Sequence, residues 1–143
     1  MTYNKLYDII SIAIQEFNVQ GNEIEETETG TWTFTIQDFT GQLQMHEDPD
    51  DNVLSLFLHI YVLPIPNKNK DKFMEELLTF NAQNNYMKYG IYENYALFSV
   101  TFQNFDLFTK DFFVVILRRY IQFLQETRAD MGTRYFEASV PNY

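Results

Sequence analysis

His46 and His59 are the two histidines of this 143-residue chain, and the sequence contains no cysteine. Both histidines fall in stretches predicted as neighbouring strands, so their rings could meet across a hairpin and share a proton or a metal ion. A catalytic zinc ion needs more protein ligands than two histidines supply. The pattern therefore favours outward-facing or hydrogen-bonded histidines, and we predict no metal and no cofactor. Without cysteine the chain has no disulfide, thiol nucleophile or cysteine metal ligand, which fits a reducing compartment.

The loop at residues 47–52 (EDPDDN) is dense in oxygen ligands. Calcium takes roughly six to eight oxygens in a defined geometry, and the spacing typical of a calcium-binding helix–loop–helix motif is missing. Proline and Asx-turn chemistry in a hairpin loop explains the composition better. Ion binding at this loop is left open as the minor alternative.

No sequence motif indicates an enzyme. A nucleophile elbow, a phosphate-binding loop, a zinc-protease helix and a dinucleotide-binding glycine pattern are all missing. Carboxylates are numerous, but none forms a recognisable acid/base pair. We therefore predict that the chain is not an enzyme, although catalytic groups could still converge from distant positions.

The charge is distributed unevenly. The net charge is −10, and residues 1–66 hold 11 acidic residues against one basic residue, Lys5. Phosphate would be repelled, so nucleic acid and anionic membranes are disfavoured as partners. The aromatic strands could stack bases, but sheet-based RNA readers also need Lys and Arg beside their aromatics, and residues 31–63 hold none. The acidity fits solubility first and a basic protein partner second.

No stretch is long and apolar enough to span a bilayer, and the N-terminus lacks the pattern of a signal peptide. The sequence therefore predicts a soluble, cytoplasmic protein.

The histidine-bearing stretch from Val53 to Pro66 (VLSLFLHIYVLPIP) is the longest apolar run. Both of its alternating faces are largely hydrophobic, which is typical of a strand in the middle of a sheet. One face carries Leu54, Leu56, Leu58, Ile60 and Val62. The other carries Val53, Phe57, Tyr61 and Leu63, with Ser55 and His59 between them.

Periodicity predicts the remaining elements. Helices are expected at residues 4–17, from 69 to about 81–84, and after Thr109, the expected N-cap, to 130–132. Strands are expected at 31–37 and 42–46, with a hairpin at 86–92 and 95–104 that turns at Glu93–Asn94. Residues 23–28 are either an edge strand or an irregular lead-in. The order α-β-β-β-α-β-β-α predicts one α+β two-layer domain over residues 1–132, with an antiparallel five-stranded sheet and helices packed on one face. Residues 133–143 are predicted as a C-terminal tail, docked or free.

This order resembles the YbjN-like family, on the strength of an acidic lead-in linked by glycine, the segment TWTFTI, an acidic hairpin loop, a long strand ending in LPIP, a helix and an aromatic hairpin. Members of that family are described as bacterial sensory transduction regulators and share the fold of type III secretion chaperones. The resemblance covers residues 4–128 and rests on element order, without an invariant motif. It implies a non-enzymatic, protein-binding and often dimeric domain, with no catalytic or binding residue to transfer.

These observations predict a protein-interaction module, regulatory or chaperone-like, that acts as a homodimer. Its apolar sheet face, with Phe57, His59 and Tyr61 as contact residues, would pair with a second copy or an extended client segment, and the acidic half would steer a basic partner. One alternative is an immunity-type inhibitor that plugs the basic active site of a toxin. Another is a small-molecule-binding domain, which would require a closed cavity.

Overall fold

The structure of the protein is a computed structural model, and it is described over residues 1–136. In chain order the elements are α1 (Tyr3–Gln15), β1 (Glu23–Glu28), β2 (Thr31–Ile36), β3 (Phe39–Glu47), β4 (Leu54–Pro64), α2 (Lys70–Gln83), β5 (Met87–Tyr92), β6 (Tyr95–Phe102) and α3 (Lys110–Tyr135). The predicted helices and the hairpin turning at Glu93–Asn94 are confirmed. The N-cap of α1 is Thr2, whose hydroxyl accepts from the Lys5 amide, and that of α3 is Thr109, whose hydroxyl accepts from the Phe112 amide.

The sheet has six antiparallel strands in the order β1-β2-β3-β4-β6-β5. The prediction of five strands is therefore wrong by one, because residues 23–28 form an edge strand. Only Ile24 of that strand is partly buried, and its other residues are exposed. A charged strand of this kind gives a weak apolar signal, and it protects an exposed sheet edge.

All three helices pack on one face of the sheet. Tyr7 of α1 contacts Trp32, Phe80 of α2 contacts Tyr89, and Phe123 of α3 contacts Phe98. The strand register puts these sheet residues on the same side as the β4 residues Leu56, Leu58, Ile60 and Val62, all of which are fully buried. The α+β class is confirmed, with a core between one sheet and three helices.

A β-bulge corrects the predicted face of Leu63. The pairing of β4 with β6 shifts register between Tyr61 and Leu63. An extra residue in a strand reverses the facing of those that follow it. Leu63 therefore points into the helix-covered core and is fully buried, while Val53 lies outside β4 and is exposed.

The last helix ends later than its sequence pattern predicts. α3 continues to Tyr135, whose ring packs edge-on against Phe73 of α2 with centroids 5.2 Å apart. Arg134 binds both Asp130 and Glu76. These contacts with α2 hold the last turn of the helix in place. The rest of the predicted tail, residues 137–143, lies outside the described residues.

Candidate functional site

Phe57, His59 and Tyr61 lie on the face of the sheet opposite the helices, which we call the open face. All three are partly buried. Their neighbours across the ladder are polar on the β3 side, where Gln44 faces Phe57 and Gln42 faces His59. On the β6 side they are Thr101, Ser99 and Leu97 in turn. The three predicted contact residues therefore share one surface, in the middle of the sheet.

His59 is held by its neighbours on this face. Its Nδ1 lies 2.9 Å from the Ser99 hydroxyl oxygen, and its ring stacks on Phe57 with an interplanar angle of 10°. Burial lowers the pKa of His59, so the imidazole is neutral at pH 7. A catalytic serine–histidine pair also needs a third group that orients the histidine. Among residues 1–136 no carboxylate hydrogen-bonds to His59.

The two histidines do lie on adjacent strands, but their rings do not meet. His46 pairs with Ser55, and His59 pairs with Gln42. Phe57 lies between them, with ring centroids 6.3 Å from His46 and 6.5 Å from His59. Within the described residues, no group of three or more histidine or acidic side chains is arranged to hold a metal ion.

The acidic loop at residues 47–52 is built as an Asx turn, as its composition predicts. The Asp48 carboxylate accepts hydrogen bonds from the amides of Asp50 and Asp51, at 2.8 and 3.3 Å. Asn52 adopts a left-handed φ of 55°. The Asp48 side chain is thus bound to the loop's own backbone.

Three tyrosines form a second aromatic group at the end of the open face, which we call the tyrosine cluster: Tyr61, Tyr92 and Tyr95. The Tyr61 ring lies 5.8 Å from Tyr95, nearly perpendicular to it at 84°, and 6.3 Å from Tyr92. Tyr92 and Tyr95 are 52% and 40% exposed. Tyr92 and Tyr95 are not among the residues that the sequence predicts for this face, because β6 lies beside β4 although a helix and another strand separate them in the chain. The alternation of Tyr95, Leu97 and Ser99 was the available signal.

A depression of about 340 Å³ adjoins this cluster, lined by Asp38, Thr40, Tyr61, Val62, Glu93, Tyr95 and Arg128. It lies between the turn joining β2 to β3 and the turn joining β5 to β6. Both are two-residue turns with positive φ at both positions, Gln37–Asp38 and Glu93–Asn94. This left-handed geometry matches the twist of the flanking strands, so the turns hold Asp38 and Glu93 in fixed places.

Arg128 of α3 binds the end of β4 beside this depression. Its Nε donates to the Val62 carbonyl at 2.6 Å, and its guanidinium lies 3.7 Å from the centre of the Phe39 ring. Val62 is the extra residue of the β-bulge, so its carbonyl points out of the regular ladder. The arginine satisfies that carbonyl and links α3 to the central strand.

The edge strand β5 is covered at its middle by a side chain from α2. Asn81 accepts from the Tyr89 amide at 2.7 Å and donates to the Tyr89 carbonyl at 2.8 Å. An asparagine used in this way takes the place of a neighbouring strand. The Lys88 ammonium also reaches back to the carbonyls of Asn81 and Asn84 at the end of α2.

No protein-family model matches the chain, and the curated proteins contain no match to it. None of the helices in the described part of the chain combines the length and the apolar character that a bilayer crossing requires.

Proposed function

We propose that this chain is a non-enzymatic protein-interaction module, regulatory or chaperone-like, that binds a protein partner through the open face of its sheet. The observation that carries the proposal is the aromatic surface opposite the helices, from Phe57 through Tyr61 to Tyr95. Antiparallel sheets with one solvated face usually alternate between apolar and polar positions. Large aromatics on the solvated face are instead enriched where proteins bind one another.

The open face has two halves with different chemistry, and this supports a protein as the partner. The half on β2 and β3 carries hydroxyl and amide side chains: Thr33, Thr35, Gln42 and Gln44. The half on β4 and β6 carries the aromatics, Leu97 and the His59–Ser99 pair. A partner that covers both halves would bury apolar area on one side and exchange hydrogen bonds on the other. That combination is typical of a protein interface.

Acidic groups lie along β1 and at both ends of the sheet, and they favour a basic partner; one group is Glu28 with the loop at residues 47–52. Glu28 pairs with Thr31, and Thr31 pairs with Gln44. The acidic loop begins three residues after Gln44, at Glu47, so Glu28 and the loop lie at the same end of the sheet. Negative charge at this end would speed the encounter with a basic surface and disfavour acidic ones. The same feature favours the second candidate, an immunity-type inhibitor of a basic toxin. A toxin gene beside the gene for this chain would support that candidate.

The proposal also includes a homodimer, a cytoplasmic location and membership of the YbjN-like family with its secretion-chaperone fold. The element order and the central strand ending in prolines are the features that support the family. The small-molecule alternative is weaker, since the depressions found among the described residues 1–136 are open and a ligand site usually encloses most of its ligand.

Capture from native lysate followed by mass spectrometry tests the proposal. The native chain is compared with the double variant Phe57→Thr/Leu97→Thr, which removes apolar side chains from the open face and leaves the tyrosine cluster intact. The control is Leu107→Thr, because Leu107 is exposed and lies outside the sheet. We expect a partner that the native chain and the control retain and the double variant loses. Equal capture by all three would contradict the proposed face, and a monomeric mass at micromolar concentration would contradict the dimer.

A further inference from the structure

We propose that the depression beside the tyrosine cluster is a subsite for one cationic side chain, lysine or arginine, presented by a basic, extended peptide segment of the partner. This inference rests on the proposed function, because it names the chemistry that the partner brings to the open face. It goes further in assigning a role to Tyr95 and Glu93, neither of which the sequence singles out.

The aromatic walls of the depression suit a cation. A ring face carries negative partial charge and attracts an ammonium or guanidinium group within about 6 Å of its centre. Tyr61 and Tyr95 stand almost at right angles, at 84°, with centroids 5.8 Å apart. An edge-to-face pair leaves more ring face uncovered than a parallel stacked pair does, and both tyrosines line the depression. Tyr92 adds a third ring beside Tyr61.

The charged groups around the depression also favour a cation. Asp38 and Glu93 line it from the two turns, and Arg128 is the one basic residue among its lining residues. Burial raises the pKa of Tyr61, and the charge of Glu93 adds to that rise. The carboxylate therefore acts directly on the tyrosine cluster, and the Tyr61 hydroxyl stays protonated at neutral pH.

The guanidinium of Arg128 lines the depression from the side of the helices. It stacks on Phe39, a fully buried ring on the helix side of the sheet. Its contacts include three backbone carbonyls, those of Val62 at 2.6 Å, Tyr61 at 3.4 Å and Asp38 at 3.5 Å. The two carboxylates thus exceed the one guanidinium in charge, and the guanidinium is held by the bulge of β4.

The shape of the subsite and its position favour an extended peptide as the carrier of the cation. The volume, about 340 Å³, lies at the low end of the range for ligand sites and accepts one long side chain. Alternate residues of an extended segment point to the same side. A segment lying on the open face can therefore place one basic residue over the tyrosine cluster and the next toward His59.

A titration followed by NMR tests the subsite. The probe is the acetylated, amidated peptide Lys-Thr-Lys-Thr-Lys, and the neutral comparison is Gln-Thr-Gln-Thr-Gln. We expect the lysine peptide to shift the ring signals of Tyr61 and Tyr95, and to bind more tightly at low salt than the glutamine peptide. The variant Tyr61→Leu/Tyr95→Leu keeps the charge and apolar area, and it should weaken binding about two- to fivefold, as loss of an exposed cation–π contact predicts.

A matched pair of charge variants separates the subsite from general attraction to an acidic protein. Glu93→Gln and Glu25→Gln change the net charge equally, and Glu25 lies on the same face at the opposite edge of the sheet. We expect Glu93→Gln to weaken the lysine peptide at least twofold and Glu25→Gln to leave it nearly unchanged. Equal weakening by the two variants, or no effect of the tyrosine variant, would overturn the subsite. Binding of the glutamine peptide at Phe57 with the same affinity as the lysine peptide would also overturn the subsite. That result would leave the proposed interaction face intact. Failure of the lysate capture alone would refute that face and spare the subsite.

Discussion

Replacement of Gly41 by alanine tests how tightly β3 and β4 are packed beneath the open face. Gly41 pairs with Phe34 on β2 and with Ile60 on β4. A Cβ added at Gly41 would lie 2.4 Å from Phe34 Cζ and 2.6 Å from the His59 carbonyl oxygen. The ring can move, but the carbonyl belongs to the backbone of the central strand. We therefore expect Gly41→Ala to lower the free energy of unfolding by about 1–3 kcal/mol, the usual cost of overpacking.

Gly90→Ala is the matched control. Gly90 also lies in a strand, and a Cβ there would meet nothing within 4 Å. Replacing glycine with alanine at an unstrained position reduces the conformational entropy of the unfolded chain, so this variant should be about 0.4–1 kcal/mol more stable. The two alanine variants should therefore move the stability in opposite directions.

Urea unfolding followed by tryptophan fluorescence measures both variants, because Trp32 is the single tryptophan and is buried on the strand next to Gly41. The midpoint should fall for Gly41→Ala with an unchanged slope, and the melting temperature should drop by roughly 2–4 °C for each kcal/mol. Phe34→Leu in the same chain should recover part of the loss, since two of the three closest atoms belong to that ring. A Gly41→Ala variant within about 0.5 kcal/mol of the native chain, the range of ordinary surface changes, would refute the packing argument.

Three further predictions follow from the side chains that support the open face. Arg128→Met should destabilise the fold by about 1.5–3 kcal/mol, because it removes a charged hydrogen bond to the β-bulge. Arg119 is exposed, so the control Arg119→Met should change the free energy of unfolding little in the same urea assay. Similar losses of stability in the two variants would contradict the role of Arg128. His59 has a lowered pKa in the folded chain, so the unfolded chain binds the proton more readily and stability falls as pH drops through about 6.5 toward the folded pKa. His59→Gln should remove that part of the pH dependence of the free energy of unfolding, as measured by urea unfolding at several pH values. If the variant shows the same pH dependence as the native chain, another group is responsible. Asn81→Ala should leave the Tyr89 amide and carbonyl without their hydrogen bonds and lower the free energy of unfolding by about 1–3 kcal/mol. The exposed edge of β5 should also increase self-association, which sedimentation measures. A variant as stable and as monodisperse as the native chain would refute the role of Asn81 in covering that edge.

The sequence predicts well those features that depend on local pattern. The alternation of Trp32, Phe34 and Ile36 specifies β2 and its buried face, and the hydroxyl of Thr109 marks the start of α3. Features that depend on pairing between distant segments are not predicted. The β-bulge at Val62 depends on the register between β4 and β6, and no residue type nearby signals it.

The candidate site divides in the same way. Phe57, His59 and Tyr61 alternate along a single strand, so their common face can be predicted from the sequence of that strand alone. Tyr92 and Tyr95 join Tyr61 through a strand order in which β6 lies beside β4. That order places two turns at one end of the sheet, and with them the carboxylates of Asp38 and Glu93. The sequence around Asp38 and the sequence around Glu93 give no signal that these two residues line the same depression.

The two edges of the sheet give a physical reason to expect binding at the face. An extended segment can add to a sheet edge through unpaired backbone groups. On β5, Asn81 already occupies the amide and carbonyl of Tyr89. On β1, the exposed glutamates would repel the same strand of a second copy, since like charges on paired strands destabilise the pairing. A second copy therefore gains little from either edge. The open face offers it aromatic rings, hydroxyls and amides together, and the carboxylates along β1 and at both ends of the sheet make a basic segment the better-matched partner.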